Sequence, residues 1–384
     1  MKNKYFEKKE KNKCNGCGVC ALKCPVNAIE MKADNEGFYY PQIIEERCIN
    51  CNKCKNICSN YNDSNIKNNA YVAINKNINE KKRSSSGGMF FILAKYIINK
   101  NGVVYGVEYG KNHKVQHNYY EKLEDCKKFQ GSKYIRSDIE KIYISVENFL
   151  KQDRYVLFTG TPCQCNGLKE YLEKDYDKLL LCDVICHANP SQSVFDQYIY
   201  ELEKKYNKKI KSINFRDKQN GWKSSMPTIV FKDGNKIKDK TFYNGFVNGL
   251  FVRPSCYDCK FSGINRVTDF TIGDFWGNNI IVPEIKDDDT GISILLVNST
   301  KAKLIFDEIK CEMEFKKVDI NKAFTYNHHK PIKKHCKRKR FFKNLNKMTV
   351  EDNVNNCLKV NMVRKFLGMC KRKVRKFLNI IFNY

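Results

Sequence analysis

The stretch that decides the fold of this chain runs Cys14-Asn-Gly-Cys17-Gly-Val-Cys20-Ala-Leu-Lys-Cys24-Pro25. Its cysteine spacing, C-x2-C-x2-C-x3-C, returns in full at Cys48, Cys51, Cys54 and Cys58. The two short gaps let three thiolates wrap one face of a cubane cluster, and the longer gap lets the fourth thiolate reach a second cluster. The sequence therefore predicts an N-terminal module that holds two 4Fe-4S clusters.

This spacing is that of bacterial two-cluster ferredoxins, in which the fourth cysteine of each run binds the other cluster. The first cluster is accordingly assigned Cys14, Cys17, Cys20 and Cys58, and the second is assigned Cys48, Cys51, Cys54 and Cys24. Structural zinc usually takes two C-x2-C pairs and would leave cysteines over. Disulfide frameworks belong to small secreted domains, and the start MKNKYFEKKEKNK lacks the apolar segment of a secretory signal. One departure from the pattern is Ser59, which follows Cys58 where proline would be expected.

The chain of 384 residues has room for further domains after this module. The expected fold class is a multidomain protein of mixed α+β and α/β type, with a ferredoxin-like module ahead of an α/β core that becomes richer in strands toward its C-terminal part. The expected boundaries are 1–60 for the module, 71–155 and 156–345 for the two parts of the core, and 346–384 for a basic tail. No apolar run reaches the roughly 18 residues that span a bilayer. The sequence predicts a cytoplasmic protein, because thiolates and clusters survive in a reducing compartment.

The formal net charge of +28 is unevenly distributed. Residues 333–384 hold 16 Lys or Arg and 2 Asp or Glu, so this segment alone carries +14. From Leu358 onward, apolar residues recur at helical spacing between basic ones, a pattern typical of a helix on the anionic inner face of a membrane. The alternatives are a solvated tail or a helix docked on its own domain. The remaining positive charge favours acidic partners such as ferredoxins and phosphorylated cofactors. No nucleic-acid recognition module is present, so nucleic acid is not an expected partner.

A third set of cysteines lies in the core segments. Cys163 and Cys186 each follow an apolar stretch that reads as a strand, and Cys256 and Cys259 form a C-x2-C pair. If the two strands are parallel neighbours, both thiols lie at the carboxyl edge of a sheet, where cofactors bind. A third cluster held by these four cysteines is one interpretation. Spacing alone supports equally well the alternative that Cys163 and Cys186 are buried apolar thiols.

Seven segments in order resemble the beta subunit of coenzyme F420-reducing hydrogenase and its relatives, a family of flavoproteins that carry iron–sulfur clusters. The segments are Arg83–Gly88, Gly131–Asp138, Phe158–Gln164, Cys186–His187, Phe215–Lys218, Cys256–Cys259 and Ile272–Gly277. Together with the cysteine runs, the resemblance extends from residue 14 to about residue 345. It implies FAD held in the α/β part beside a 4Fe-4S cluster, and the family's cysteine pattern falls on Cys163, Cys186, Cys256 and Cys259. Ala188 stands where the family usually has glycine after Cys-His.

The resemblance also suggests which residues contact the flavin. Ser85, Ser86, Gly87 and Gly88 precede a helix, where free N–H groups and the helix dipole favour a pyrophosphate; an ordinary helix cap is the alternative. Thr159, Gly160 and Thr161 form a second turn of this kind. Lys133 and Arg216 are expected to neutralise phosphate or a substrate carboxylate, unless they are solvated. His187 is the expected proton donor, with a packed structural histidine as the alternative.

These features together predict an enzyme, an iron–sulfur flavoprotein oxidoreductase. Electrons would pass between ferredoxin or another carrier and a substrate through the clusters and FAD. The first alternative is an electron-transfer subunit that serves a partner enzyme and has no substrate of its own. The second is a binding protein whose clusters only stabilise the fold. No residue selects a particular substrate.

Overall fold

The computed structural model describes residues 10–58, 68–139 and 141–359, together with Phe6. The strands are β1 (Ile29–Ala33), β2 (Tyr39–Ile43), β3 (Asn69–Asn75), β4 (Val103–Tyr109), β5 (Val115–Tyr120), β6 (Val156–Gly160), β7 (Leu179–Val184), β8 (Ile210–Asp217), β9 (Met226–Phe231), β10 (Lys236–Lys238), β11 (Phe270–Asp274), β12 (Ser293–Val297) and β13 (Met313–Val318). The α-helices are α1 (Val19–Leu22), α2 (Lys53–Ile57), α3 (Ile78–Arg83), α4 (Met89–Asn99), α5 (Leu123–Cys126), α6 (Ile142–Lys151), α7 (Pro162–Leu172), α8 (Gln192–Tyr206), α9 (Thr241–Val247), α10 (Asn278–Ile281), α11 (Thr300–Ile309), α12 (Ile320–Ala323), α13 (Arg338–Asn344) and α14 (Val350–Leu358).

An eight-stranded mixed sheet organises the core, in the order β13-β3-β12-β11-β7-β6-β4-β5. β4, β6, β7 and β11 pair in parallel. β3 runs in the same direction, because β12 lies antiparallel to both β3 and β11. The carboxyl ends of these five strands therefore meet at one edge of the sheet, which is called the carboxyl edge below.

Helices cover both faces of this sheet, as the near-continuous apolar runs of β6 and β7 require. α4 and α11 pack on one face, through buried residues such as Ile92, Leu93 and Phe306. α6 and α7 pack on the other face, with Tyr143 and Leu168 buried. The expectation of an α/β core is confirmed.

A second layer of structure follows the core in sequence. β8, β9 and β10 form a separate antiparallel sheet, and α8, α9, α13 and α14 share its aromatic interior, which includes Phe195, Phe215 and Phe251. The packed structure continues to Leu358, because Val350, Val354 and Cys357 of α14 are buried. The basic segment predicted to begin at 346 is therefore part of the packed structure as far as α14, and the predicted membrane helix beyond residue 359 lies outside the described residues.

The N-terminal module, residues 10–58, combines the antiparallel pair β1–β2 with α1 and α2. It packs closely on the core. A Cβ atom at Gly167 of α7 would lie 3.0 Å from Cβ of Cys17, so α7 and the first cysteine run are in contact. The Glu36 carboxylate accepts two hydrogen bonds from the Arg338 guanidinium, at 2.7 and 2.6 Å.

The start of α7 follows from its sequence. It begins at Pro162, because Thr161 and Gln164 form a capping box and proline suits the first helical position. β10 ends at Lys238, and Thr241 begins α9. Among the described residues, no helix has both the length and the apolar character needed to cross a lipid bilayer.

Candidate functional site

The four cysteines assigned to the first cluster are gathered where the N-terminal module meets α7. Burial is the main cause that raises the pKa of Cys17 to about 11, and the nearby thiols of Cys14 and Cys58 contribute to this rise. Burial also raises the pKa of Cys20, and the thiols of Cys17, Cys58 and Cys14 again add to the effect. Cys58 thus lies near Cys17 and Cys20 of the first run, and the crossed assignment stays a prediction.

The second set gathers on the other side of the module. Burial raises the pKa of Cys54, and Cys48, Cys51 and Cys24 add to this rise. All four thiols line one small cavity, together with apolar residues such as Ile29 and Ile43. Cys51 is exposed, so the second set lies nearer to solvent than the half-buried first set.

The third set lies at the carboxyl edge. β6 and β7 pair in parallel. Cys163 and Cys186 therefore follow neighbouring parallel strands and lie at the same edge of the sheet. Burial raises the pKa of Cys186, and the nearby thiols of Cys163, Cys256 and Cys259 add to it. The backbone N–H of Asn189 donates to Sγ of Cys256 at 3.3 Å.

The chemistry of these donor sets fits iron–sulfur clusters. Crowded, buried thiols favour the neutral form, and the positive charge of bound iron would remove that penalty and draw out the thiolates. Within the described residues, no three His, Cys, Asp or Glu side chains converge closely enough to hold a single metal ion. The twelve cysteines remain predicted ligands. Cys165 is buried on the α7 face of the sheet and Cys182 on the opposite face. Sγ of Cys165 is 3.8 Å from the carbonyl oxygen of Cys182.

A cleft of about 560 Å³ opens at the same carboxyl edge. Ser85, in the segment after β3, Tyr109 at the end of β4 and Arg216 of β8 contribute to its wall. Its charged lining residues are Lys82, Arg83, Lys128, Lys133, Arg216, Lys218, Asp217 and Asp289. The cations outnumber the carboxylates, so the cleft favours an anionic ligand.

Arg216 and Tyr109 are cleft residues with buried polar atoms that lack a hydrogen-bond partner in the structure, and Arg216 has two such atoms. Its Nη1 donates to Asp274 Oδ2 at 2.8 Å, and its guanidinium lies 5.4 Å from the ring centre of Trp276, which stacks on Trp222. Its Nε and Nη2 are buried and lack a partner in the structure. Buried donors are rarely left unpaired, so these atoms indicate the position of a bound acceptor.

Two of the four lysines that line the cleft are held by backbone carbonyl groups. Lys133 Nζ donates to the carbonyl oxygens of Lys128, Phe129 and Gln130 at 3.2, 3.0 and 3.0 Å, and burial lowers its pKa to about 7. Lys218 Nζ donates to the carbonyl oxygens of Lys81 and Thr290. Sequence reasoning missed Lys218, although it lies close to Arg216 in the segment Phe215–Lys218.

Of the four residues expected at the flavin pyrophosphate, only Ser85 lines the cleft. Its Oγ accepts from the backbone N–H of Ser132 at 2.7 Å. Ser86 Oγ donates to the carbonyl oxygen of Ile292 at 2.6 Å. The N–H of Gly87 donates to Ser293 Oγ, and a Cβ atom there would lie 2.6 Å from the Ala73 carbonyl oxygen. Gly88, at φ +87°, is the N-cap residue of α4. The cap therefore explains Gly88, and close backbone packing explains Gly87.

The turn of Thr159, Gly160 and Thr161 lies beside the third cysteine set and does not line the cleft. Thr159 is buried and donates to the Tyr105 carbonyl oxygen at 2.9 Å. Thr161 caps α7, and its Oγ1 lies 3.2 Å from Sγ of Cys163. This turn therefore contacts Cys163, a predicted cluster ligand, and none of its three residues lies in the cleft where a phosphate would bind.

His187 lies next to Cys186 in a contact with His328, the two Nδ1 atoms being 3.5 Å apart. Its ring also packs on Phe246. Burial is the main cause that lowers the pKa of His187 to about 4, and His328 contributes to this lowering. At neutral pH the ring is uncharged, so the structure does not favour the expected role as proton donor.

Comparison with known proteins finds family models, a curated relative and a solved structure that resemble this chain. Residues 153–323 match the family model for the C terminus of the coenzyme F420 hydrogenase/dehydrogenase beta subunit, and residues 13–61 match the 4Fe-4S dicluster domain. One of the subunits of the F420H2 dehydrogenase of Methanosarcina mazei is 25% identical over 219 residues, which cover 53% of this chain and 62% of that protein. A chain of the F420-reducing [NiFe] hydrogenase complex from Methanosarcina barkeri, solved as a xenon derivative, aligns over 75% of this chain and 89% of its own length, with 14% identity and a TM-score of 0.46.

The fold and the N-terminal domain define an iron–sulfur protein with an α/β core. Residues 153–323 of its core are similar to the C-terminal part of coenzyme F420 hydrogenase/dehydrogenase beta subunits, which confirms the resemblance found from the sequence. The match spans about three fifths of the length of the curated relative.

Proposed function

We propose that this chain is an oxidoreductase component that carries electrons between its N-terminal clusters and a flavin, through a third cluster at the carboxyl edge. The supporting observation is the common location of the parts. Cys163 and Cys186 follow β6 and β7, and Arg216 is paired with Asp274 at the end of the neighbouring strand β11. Buried thiols and an anion-favouring cleft therefore share one edge of the sheet.

The residues of the cleft suit the phosphate and ring atoms of FAD. Arg216 would donate Nε and Nη2 to an anionic or carbonyl oxygen, and Lys82, Arg83 and Lys128 would balance phosphate charge. Lys133 and Lys218 would shape the wall through their backbone contacts. FAD, when bound, exchanges one or two electrons and so connects one-electron clusters to a two-electron substrate.

The alternative of a subunit without its own substrate rests on a different observation. The relative from M. mazei is named as a subunit of a dehydrogenase, so partner subunits are proposed for this chain too. His187, uncharged at neutral pH, offers no imidazolium proton to a substrate. A ferredoxin or similar carrier would supply or receive electrons at the exposed second cysteine set, in a reducing cytoplasm.

Anaerobic purification and reconstitution of the full chain, with iron, sulfide and flavin analysis, tests the proposal. We expect three clusters and bound FAD. Cys259→Ala should remove about one third of the iron, because it takes one ligand from the third set only. Cys311→Ala is the matched control, since Cys311 is exposed and belongs to none of the three sets.

Reduced ferredoxin should then reduce the flavin of the wild-type chain and fail to do so in Cys259→Ala. Protein that binds no flavin but still reduces a partner subunit would support the alternative. If the wild-type chain and Cys259→Ala both contain only two clusters, the proposal of a third cluster is wrong.

A further inference from the structure

Arg253 is a buried arginine at the interface between the N-terminal module and the core, and it contacts both the first and the third cysteine set. Arg253 is 2% exposed. Its Nε donates to the carbonyl oxygen of Cys14 at 2.8 Å, and its Nη2 lies 3.6 Å from Sγ of Cys14. Nη2 also donates to the carbonyl oxygen of Tyr39 at 2.9 Å. The guanidinium thus rests directly on the first cysteine set.

The backbone of Arg253 is hydrogen-bonded to the segments that carry the third cysteine set. The N–H of Arg253 donates to the carbonyl oxygen of Asn189 at 2.8 Å, and the N–H of Cys256 donates to the Arg253 carbonyl oxygen at 3.0 Å. The N–H of Asn189 in turn donates to Sγ of Cys256. One residue therefore connects Cys14 of the module to Cys256 of the core.

Contacts of α7 and Tyr143 also connect the first cysteine set to the third. A Cβ atom at Gly167 would lie 3.0 Å from Cβ of Cys17 and 2.8 Å from Oη of Tyr143, while Tyr143 Oη donates to the carbonyl oxygen of Gln164, one residue after Cys163. A Cβ atom at Gly16 would lie 3.0 Å from Cζ of Arg253. The module thus presents the first cysteine set to the core, and the second set lines a cavity with module residues only.

We propose that electrons cross between module and core from the Cys14 cluster to the third cluster, and that Arg253 sets the potentials of both. This inference rests on the proposed function. In each crossing the Cys14 cluster loses one electron and the third cluster gains it, with no bond made or broken. A fixed positive charge beside thiolates favours the more negative, reduced state of a cluster. The charge of Arg253 is desolvated, so salt screens it little.

Arg253→Gln and Arg253→Lys in the full, reconstituted chain test the proposal by redox titration followed by electron paramagnetic resonance. Arg253→Gln should shift the midpoint potentials of the Cys14 cluster and of the third cluster downward. A tenfold change in each reduction equilibrium, or about 59 mV for a one-electron couple, is the expected minimum. The potential of the second cluster should stay unchanged. Arg253→Lys keeps the charge and should restore most of both shifts, which a residue needed only for docking would not do.

Lys13→Gln is the matched control, because Lys13 bridges the same interface to Asp258 at 3.2 Å but is exposed. It should leave all three potentials in place. Iron and sulfide content, measured on every variant, tests the proposed function separately. If all clusters are present and Arg253→Gln moves neither potential, the role of Arg253 is overturned.

The wild-type chain offers a test that does not depend on a variant folding. Stepwise reduction should broaden the signal of the third cluster when the Cys14 cluster is reduced, because neighbouring spins couple. A third-cluster signal that is indifferent to reduction of the module would overturn the proposed route.

Discussion

At the scale of single residues, the buried Nε and Nη2 donors of Arg216, which lack a partner in the structure, are the strongest indication of a ligand in the cleft. Arg216→Gln should lower the affinity for FAD about tenfold or more, since it removes a charge and two buried donors that a ligand would satisfy. Isothermal titration of flavin-free protein with FAD measures this. Lys223→Gln is the control, because Lys223 is exposed, pairs with Asp287 and does not line the cleft. Equal affinity of wild type and Arg216→Gln would place the flavin elsewhere.

Spacing predicted the cysteine sets more fully than it predicted the cleft residues. A C-x2-C repeat fixes which thiols can share a cluster, and two apolar runs ahead of Cys163 and Cys186 indicated neighbouring strands, which β6 and β7 are. The uses of Ser86 and Gly87 depend on Ile292 and Ser293. Those partners lie more than 200 positions away in the chain, and no local pattern shows them.

At the scale of elements, one histidine links β5 to β6. The Nε2 atom of His117, in β5, pairs with the Thr159 carbonyl oxygen of β6 at 2.9 Å. A carbonyl oxygen only accepts, so Nε2 carries the proton and Nδ1 accepts from Ser137 Oγ at 2.8 Å. The ring also stacks on Phe158. The neutral tautomer thus satisfies every contact, and protonation would break one of them.

This arrangement predicts how stability depends on pH. Burial lowers the pKa of His117 to about 4, below the value of about 6.5 in an unfolded chain. Between about pH 4 and pH 6.5, His117 is therefore protonated in the unfolded state and neutral in the folded state. The stabilisation is present above pH 6.5 and is lost as pH falls toward 4. The loss from this group should be about 1.5 kcal/mol between pH 6.5 and pH 5.

Denaturant unfolding at these two pH values checks the prediction, with His117→Gln as the comparison. Glutamine cannot titrate, so the variant should lose less stability on acidification than the wild type. Identical losses would show that His117 does not carry the effect.

Strand order explains why the cleft was only partly foreseen from the sequence. β3 is separated from β4 in the sheet by β12, β11, β7 and β6, yet the segment after β3 and the end of β4 both reach the cleft. The cleft therefore depends on long-range pairings, such as that of β12 with β3 and β11. The apolar stretches ahead of Cys163 and Cys186 predicted two strands, but they carried no information on the order of the strands in the sheet.

At the scale of the whole molecule, Glu36 and Arg338 tie the N-terminal module to the C-terminal helices. The pair is bidentate, and the Arg338 guanidinium also donates to Tyr257 Oη at 2.9 Å. Arg338→Gln leaves Glu36 without its partner in a partly buried site and should cost about 2 kcal/mol of unfolding free energy. The exposed pair of Lys303 and Asp307 supplies the control, as Lys303→Gln should cost less than about 0.5 kcal/mol. Equal costs, measured by denaturant unfolding, would contradict the special role of the Glu36–Arg338 pair.

The net charge of +28 bears on how the molecule meets an electron carrier. Cys51 is exposed, and Lys53, also exposed, lines the cavity of the second cysteine set. An acidic ferredoxin should therefore be steered toward this end, so the rate of cluster reduction should fall at least about tenfold as salt rises from low to high ionic strength. Lys53→Glu should slow the reaction at low salt more than Lys236→Glu, which places the same change on the exposed strand β10. Stopped-flow absorbance measures both rates, with a small uncharged photoreductant as the reference. Equal slowing by the two variants would mean that overall charge attracts the carrier and that the second cluster is not its docking point.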